Sequence, residues 1–316
     1  MDCREGRGRA CSPRSGRRDV ELNGKICSLP ALNAIWGSVR KIVLANPINI
    51  VLAGCGNMGY AMLKGWLARD GMTPDCVHVV EPVEPLRKRA AETGACVYES
   101  ADALEASLKP DVIFLAVKPQ VMTAVLPAYR RFVGSSVFVS IAAGVGVRTL
   151  EASLGDCAVI RAMPNTPASI GHGMTVTFAN DGVDEDQAQL VQGLLSGMGK
   201  VLAVSSEEQV DAATAISGSG PAYIFYFIEC LAKAGEAVGL DADQALLLAR
   251  QTVHGAAAMA SSRNDGPDVL RREVTSPNGT TAAALDILMG EGALMSLIGE
   301  AAKAAHDRAI ELSKTN

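Results

Sequence analysis

The chain has 316 residues, of which 48% are hydrophobic and 20% charged, so it can form one large or two ordinary domains with a sizeable core. Its formal net charge of −5 lacks the basic excess typical of nucleic-acid binding, and no run of about 18 apolar residues predicts a membrane span. Eight dispersed cysteines without a CxxC pair favour reduced thiols and a cytoplasmic location.

The N-terminal segment 1–46 differs from the rest, and we predict a disordered or poorly ordered extension. Six arginines fall between positions 4 and 18, mixed with Gly, Ser and Pro. A targeting peptide is one alternative, but two acidic residues and the missing amphipathic pattern count against it. A misplaced start is another, since a start codon read at Val39, Val43 or Leu44 would give a shorter natural chain.

Between residues 47 and 207, short apolar runs alternate with helix-like stretches. The runs "INIVLAG" (48–54) and "VIFLAVKP" (112–119) are continuous and rich in Val and Ile, as in strands buried on both faces of a parallel sheet. Strand–helix alternation predicts right-handed βαβ units and an α/β fold.

From 208 to 316 the strand signals stop and helical spacing takes over. Helical patterns cover 221–240, 242–262 and 292–314, and their many Ala and Gly residues let helices approach closely. A domain this thin needs a partner subunit to bury its apolar faces. We therefore place a domain boundary near Ser205–Gln209 and predict dimerisation.

The segment "AGCGNMGYAM" places Gly54, Gly56 and Gly59 in GxGxxG spacing between a strand and a helix. Such glycines permit a tight turn and close approach of a pyrophosphate to the helix N-terminus. A glycine-rich turn that binds nothing is the alternative. We predict a dinucleotide site that also includes Asn57 and Met58.

The second strand ends at Glu81, about 20 residues beyond the last of these glycines. A carboxylate here would accept hydrogen bonds from the ribose hydroxyls of NADH and repel the 2′-phosphate of NADPH. Alternatively, Glu81 turns outward and Arg87, Lys88 or Arg89 neutralises a phosphate. The predicted cofactor is NADPH or NADH, with a slight edge for NADH.

Later strands also end in small or polar residues, where doubly wound folds bind ligands. Pro119 ends a strand, and Lys118 supplies a positive charge, although a solvated loop lysine is the alternative. Asn165, flanked closely by two prolines, suggests a polar group aimed into a cleft, with ordinary turn chemistry as the alternative. The cofactor-binding residues predicted at these ends are Ala116, Val117, Lys118, Pro119, Ala142, Ala143 and Gly144.

Two polar, glycine-containing segments precede helical patterns, "SGSGPAY" (217–223) and "TSPNGTT" (275–281). In the first, Ser219 has the residue type of an N-cap and Pro221 lies near the first turn. Helix entrances expose unpaired N–H groups, so the pair predicts an anion site for a small substrate. Because HExxH, GxSxG and a ligand cluster are missing from the sequence, we predict neither a metal site nor serine-hydrolase chemistry.

Together these segments resemble pyrroline-5-carboxylate reductases, which catalyse the last step of proline biosynthesis. Six motifs match in family order over about residues 48–312: "GCGNMG", "AVKPQ", "SIAAGV", "RAMPNTPA", "SGSGPAY" and "VTSPNGTTAAAL". The resemblance implies an N-terminal Rossmann-like dinucleotide-binding domain followed by an all-α dimerisation domain. It also implies a homodimer whose sites join one subunit's nucleotide domain to its partner's helices, and often a decamer of such dimers.

The implied reaction is hydride transfer from NAD(P)H to the C=N carbon of 1-pyrroline-5-carboxylate, giving L-proline. Thr281 matches the family threonine that hydrogen-bonds the ring nitrogen, and Thr281 and Ser276 are the implied catalytic residues. Backbone N–H groups of the same turn would hold the substrate carboxylate. The predicted substrate-binding residues are Gly279, Thr280, Thr281, Ser219 and Asn165.

Two positions depart from the family pattern. Asn278 stands where the family usually has glycine, and we expect the turn to survive because asparagine tolerates a positive φ. Gly266 stands where the family usually has histidine, which puts the contacts of that loop in doubt. The alternative functions are another imine or a β-hydroxyacid reductase, for which Lys233 and Lys303 lack a convincing partner, and a non-catalytic dinucleotide-binding sensor.

Overall fold

A computed structural model describes residues 20–22, 25–27 and 48–315. Two short strands, β1 (Val20–Leu22) and β2 (Lys25–Cys27), pair antiparallel as a hairpin. The remainder of the predicted N-terminal extension lies outside the described residues. The chain from Asn46 onward forms a unit distinct from the segment that carries the hairpin.

Eight strands of this larger unit form one sheet. They are β3 (Ile50–Ala53), β4 (Val77–Val80), β5 (Cys96–Tyr98), β6 (Val112–Leu115), β7 (Val137–Ser140), β8 (Val159–Met163), β9 (Gly173–Ala179) and β10 (Gly199–Ala203). Their spatial order is β10-β9-β8-β7-β6-β3-β4-β5, and all neighbours are parallel except the antiparallel pair β8 and β9. The predicted α/β class is confirmed, and the strand order reverses at β3, where such sheets bind ligands.

The centre of the sheet is buried on both faces. Every residue of β3, β6 and β7 is buried. Trp66 packs against Phe114 on one face with ring centroids 4.7 Å apart, and Tyr129 and Phe138 belong to the core on the other face. Burial on both faces explains why these strands read as continuous apolar runs.

Helices on the sheet give way to a helical half after β10, as predicted. The helices among the strands are α1 (Asn57–Leu67), α2 (Glu84–Ala91), α3 (Met122–Val125), α4 (Val147–Leu154) and α5 (Glu185–Ser196). The helical half comprises α6 (Glu207–Ala213), α7 (Gly220–Ala237), α8 (Ala242–Ser262), α9 (Pro267–Glu273), α10 (Thr280–Met289) and α11 (Ala293–Thr315). The largest helix pairing in this half is between α7 and α8.

The helical half exposes many large apolar side chains. Phe225 is 59% exposed, Leu247 68% and Met295 82%, and α10 has no buried residue. The helical stretch Thr280–Ser313 has the length and apolar composition of a membrane-spanning helix by those two criteria alone. That stretch is not one straight helix, because Glu291 adopts a left-handed φ of 51° between α10 and α11. Apolar surface of this extent indicates an interaction face.

The two halves are joined at β8 by a buried ion network. The guanidinium of Arg161, whose side chain is 4% exposed, contacts Glu207 at 3.3 Å and Asp211 at 2.5 Å, both on α6. Glu207 also accepts the backbone N–H of Val147, the first residue of α4, at 3.0 Å. The start of the helical half is thereby anchored to the sheet by charge-assisted hydrogen bonds.

Candidate functional site

The three glycines of the loop after β3 have different surroundings. Gly54 has a φ of +91°, and a Cβ there would lie 2.7 Å from the carbonyl oxygen of Ala116. A Cβ on Gly59 would lie 2.3 Å from the carbonyl oxygen of Gly54, so both positions require glycine for the packing of the protein itself. Gly56, immediately before α1, has nothing within 4 Å of such an atom. The open space lies at a helix N-terminus, so the loop fits a dinucleotide pyrophosphate.

Glu81 is tied to this loop. Glu81 is 5% exposed, and its carboxylate accepts the N–H of Cys55 at 2.7 Å and that of Val83 at 2.9 Å. The alternative that Glu81 turns outward is therefore wrong. Each carboxylate oxygen retains acceptor capacity for a ribose hydroxyl. Burial raises the pKa of the Cys55 thiol to about 11, so this thiol stays protonated at neutral pH.

The cations considered for a phosphate already have partners in the protein. Arg87 donates to the carbonyl oxygens of Glu81 and Pro82 at 2.8 and 2.9 Å. Arg89 donates to the carbonyl oxygen of Cys55 at 2.8 Å and lies 4.2 Å from the centroid of the Tyr60 ring. Lys88, 74% exposed, pairs with Glu84 at 2.7 Å, a weak pairing at that exposure. The contacts favour the carboxylate of Glu81 as the group that meets the ribose.

The end of β6 lies beside the same loop. Ala116 contacts both Gly54 and Gly59, and the side chain of Val117 also lies against Gly54. The strand β6 ends at Leu115, not at Pro119. Pro119 is the first residue of a 3₁₀ turn, which follows the exposed Lys118.

After β7, Ala142 is buried and Ala143 half-buried. Gly144 has a φ of +70° and lies under α11, where a Cβ would come within 2.9 Å of that of Leu312. The helix α11 thus packs on Gly144, one of the predicted cofactor-binding residues.

At the end of β8, Asn165 is 9% exposed and already paired at both ends of its carboxamide. Its Nδ2 donates to the carbonyl oxygen of Ser217 at 2.9 Å, and its Oδ1 accepts the N–H of Met174 at 2.9 Å. Asn165 lines a cavity of about 480 Å³ with Ser217, Gly220, Pro221 and six mainly apolar residues. The structure therefore brings the "RAMPNTPA" and "SGSGPAY" segments together.

The segment "SGSGPAY" is not a free helix entrance. A π-turn, Thr214–Gly218, runs from α6 directly into α7. Ser219 has helical backbone angles and its side chain makes no capping hydrogen bond, so the predicted N-cap is wrong. The N–H of Ser219 instead donates to the carbonyl oxygen of Thr214 at 2.8 Å. The local sequence does not reveal this continuation, because the π-turn and the start of α7 run through Ser, Gly and Pro residues that usually begin a helix.

The segment "TSPNGTT" does form a helix entrance. Asn278 has a φ of 57°, which confirms that it adopts the left-handed conformation expected at this turn. The N–H of Gly279 donates to the carbonyl oxygen of Ser276 at 3.0 Å, and α10 begins at Thr280. The first-turn N–H groups have no partner within the helix, which makes them available to an anion.

The predicted substrate residues on this turn are not enclosed by their own chain. Ser276 and Thr280 are exposed, and Thr281 is half-buried. The helix α10 packs mainly against α11 and the turn that connects them. Among the described residues, no group of three or more His, Cys, Asp and Glu side chains could hold a metal ion.

The ion network at β8 is a feature that the sequence analysis missed. Arg161 interrupts the otherwise apolar run "AVIRAMP", and a lone charge inside a buried strand is a signal for a buried partner. Its partners Glu207 and Asp211 lie more than 40 residues away, so the sequence alone could not identify them.

Comparisons with known proteins cover both halves. Residues 207–312 match the family model for pyrroline-5-carboxylate reductase dimerisation, and residues 48–144 match the model for coenzyme F420-dependent NADP oxidoreductase. The pyrroline-5-carboxylate reductase of Pseudomonas aeruginosa is 41% identical over 268 residues, covering 84% of this chain and 97% of the relative.

Two solved structures agree with this relationship. A pyrroline-5-carboxylate reductase from Coxiella burnetii has a TM-score of 0.80 and 38% identity, covering 85% of this chain and 99% of that one. The Plasmodium falciparum pyrroline carboxylate reductase, solved with NADP bound, has a TM-score of 0.73 and 27% identity, covering 84% of this chain and 98% of that one.

The glycine surroundings predict two different defects from similar substitutions. Gly56→Ala should leave the thermal unfolding midpoint unchanged, because φ is −62° and the added methyl meets no protein atom, yet weaken dinucleotide binding. We expect a loss of about tenfold or more, since the methyl occupies the space of the pyrophosphate. Gly59→Ala should lower the unfolding midpoint itself. Wild-type cofactor affinity in Gly56→Ala, measured by fluorescence titration, would contradict this assignment.

Proposed function

We infer the function from one premise: the chain belongs to the pyrroline-5-carboxylate reductase family. It is an NAD(P)H-dependent oxidoreductase that reduces the C=N bond of 1-pyrroline-5-carboxylate to give L-proline. The observation that carries this conclusion is a match extending over 97% of a curated relative, so that both the nucleotide-binding and the helical half are included.

For the reaction, the protein holds NAD(P)H and 1-pyrroline-5-carboxylate in alignment. When bound, NAD(P)H supplies the hydride. The loop at Gly56 receives the pyrophosphate, and Glu81 accepts hydrogen bonds from the ribose. The first-turn N–H groups of α10 hold the substrate carboxylate, assisted by the helix dipole, and the Thr281 hydroxyl contacts the ring nitrogen. Ser276 lies at the same turn and completes the cradle.

Such a site works without an acid–base triad. A protonated imine already accepts hydride at carbon, so the protein's task is to align two carbon atoms and exclude water. Positioning of this kind lowers a barrier by roughly 7–11 kcal/mol in favourable cases. The uncharged composition of the "TSPNGTT" turn suits this task, because its backbone N–H groups bind a carboxylate without titrating near neutral pH.

The building block is a homodimer. Residues 207–312 match a dimerisation family model, and the helical half leaves large apolar side chains exposed on α7, α8 and α11. A second copy covering these faces accounts for the apolar composition of Thr280–Ser313 in a cytoplasmic protein. It also brings a nucleotide-binding domain to the exposed cradle on α10. Decamers built from such dimers are the larger assembly that the family resemblance implies.

The surroundings of two lysines count against the β-hydroxyacid reductase alternative. That chemistry needs a lysine held in the site as a proton donor. Lys233 is 77% exposed and pairs with Glu236 at 2.9 Å. Lys303 is 75% exposed and pairs with Asp307 at 2.5 Å. Each lysine is thus paired with a carboxylate three or four residues further along its own helix.

Thr281→Val tests the proposed substrate cradle. We expect kcat/KM for 1-pyrroline-5-carboxylate to fall about tenfold to a hundredfold, because the ring nitrogen loses its hydroxyl partner while side-chain volume is kept. The urea midpoint should not change, since the side chain is only half-buried. Thr275→Val is the matched control, because that hydroxyl bonds the carbonyl oxygen of Arg271 within the chain. Wild-type activity in Thr281→Val would remove Thr281 from the site.

Glu81→Gln tests the choice of cofactor. Removing the negative charge should lower the ratio of kcat/KM with NADH to kcat/KM with NADPH by about tenfold or more, since the repulsion of a 2′-phosphate is lost. Glu84→Gln removes the same charge from an exposed neighbour that pairs with Lys88, and should change the ratio much less. Equal shifts in both variants would show that Glu81 does not contact the ribose.

A complementation experiment tests the shared site. Gly56→Ala and Thr281→Val subunits, co-expressed with different tags, form heterodimers in which one of the two shared sites contains neither substitution. Doubly tagged heterodimers should therefore recover about half the wild-type activity, whereas each parent homodimer stays defective. If each site were built from a single chain, no heterodimer would contain an intact site and activity would not recover.

A further inference from the structure

The π-turn Thr214–Gly218 lies beside the apolar cavity and has a local cause. The hydroxyl of Thr214 donates to the carbonyl oxygen of Val210 at 2.8 Å, and that of Ser217 donates to the carbonyl oxygen of Ala213 at 3.1 Å. Hydroxyls bonded four residues back bend a helix. Such π-turns occur mainly as single turns inserted in α-helices, frequently at functional sites.

Two carbonyl oxygens of the π-turn accept hydrogen bonds from side chains. In an α-helix the carbonyl oxygen of Ser217 would accept the N–H of residue 221, but Pro221 has none. Asn165 supplies the missing donor at 2.9 Å. The hydroxyl of Tyr223 similarly donates to the carbonyl oxygen of Ala215 at 3.1 Å. The Tyr223 hydroxyl thus replaces a bond that a regular helix would have made, whereas Asn165 supplies one that Pro221 cannot make.

Asn165 is itself held in place from the sheet. Its Oδ1 accepts the N–H of Met174, the second residue of β9, at 2.9 Å. On the same side, Gly218 packs so closely on the end of β8 that a Cβ would lie 3.1 Å from Cε of Met163. The carboxamide therefore connects the sheet to the π-turn at the point where the two approach each other.

We propose that Asn165 is a positioning residue that holds the π-turn, and with it the cavity wall formed by Ser217, Gly220 and Pro221. The role rests on the proposed function, because ligands of such sheets bind at the carboxyl ends of the strands, and this cavity lies just beyond the carboxyl end of β8. Asn165 was predicted as a substrate ligand, but its main hydrogen-bonding capacity is directed to the backbone. Displacing this wall misaligns the reacting carbons, so kcat depends on Asn165 more than KM does.

Asn165→Asp tests the link with an isosteric side chain. One carboxylate oxygen keeps the Met174 bond, while the other faces the Ser217 carbonyl oxygen without a proton to donate. At neutral pH we expect kcat to fall about tenfold to a hundredfold, with KM and cofactor affinity within about threefold of wild type. As pH falls, the protonated carboxyl regains a donor, so the variant-to-wild-type kcat ratio should rise.

Asn180→Asp is the matched control at the opposite end of β8. The carboxamide of Asn180 donates to the carbonyl oxygen of Cys157 and to the Glu151 carboxylate, both at 2.9 Å, and accepts the N–H of Val159 at 3.0 Å, so it too bridges backbone groups. This variant should lose stability and keep wild-type kcat. A fall in kcat for Asn165→Asp without pH dependence, or a rise in KM alone, would overturn the positioning role.

Amide hydrogen exchange at 214–219 gives a readout that does not depend on turnover. Exchange there should be faster in Asn165→Asp than in wild type or Asn180→Asp at neutral pH, because the π-turn has lost its connection to the sheet. Unchanged exchange would overturn this inference. Failure of the wild-type protein to reduce 1-pyrroline-5-carboxylate would instead overturn the proposed function, so the two failures are distinguishable.

Discussion

The arrangement of the molecule depends on a buried arginine in the middle of the strand β8. Arg161 carries a positive charge that is 4% exposed, and burial of a charge is costly unless it is paired and hydrogen-bonded. Glu207 and Asp211 meet that requirement only if α6 lies against β8. Everything that follows α6 in the chain, including the π-turn and the cavity wall, starts from that anchored position.

In the loop between β3 and α1, the packing of the protein requires two of the three glycines, and the third leaves room for a ligand. Gly54 and Gly59 are required by contacts inside the protein, and Gly56 alone faces open space at the start of α1. Glu81 and Arg89 bind this loop from beneath through its backbone groups. The loop is therefore preorganised by the fold, which reduces the ordering that cofactor binding must bring about.

The helical half, unlike this loop, is not completed by contacts within one chain. Few of its apolar residues are buried within one chain, and the helix that carries Thr281 has none. Exposed apolar surface of this extent indicates an interaction face, and residues 207–312 match a dimerisation family model. The turn that leads into α10 therefore lies on a surface that its own chain does not enclose.

Much of this organisation was readable from the sequence, because it depends on local chemistry. Continuous Val- and Ile-rich runs identified the strands that are buried on both faces, helical spacing identified α7, α8 and α11, and GxGxxG located the loop before α1. The positive φ of Asn278 followed from its residue type and its turn. In each case the determining atoms lie within a few residues of one another.

Tertiary structure alone decided the features whose partners are distant in the chain. The pairing of Arg161 with α6, the burial of Glu81 beneath the loop and the use of Asn165 to satisfy Ser217 all join residues 26 to 52 positions apart. Ser219 illustrates the same limit, since a local pattern typical of a helix start became the continuation of a helix. A hydrogen-bonding group takes whichever partner the fold brings within about 3 Å, and the choice among distant partners is made only when the chain is packed.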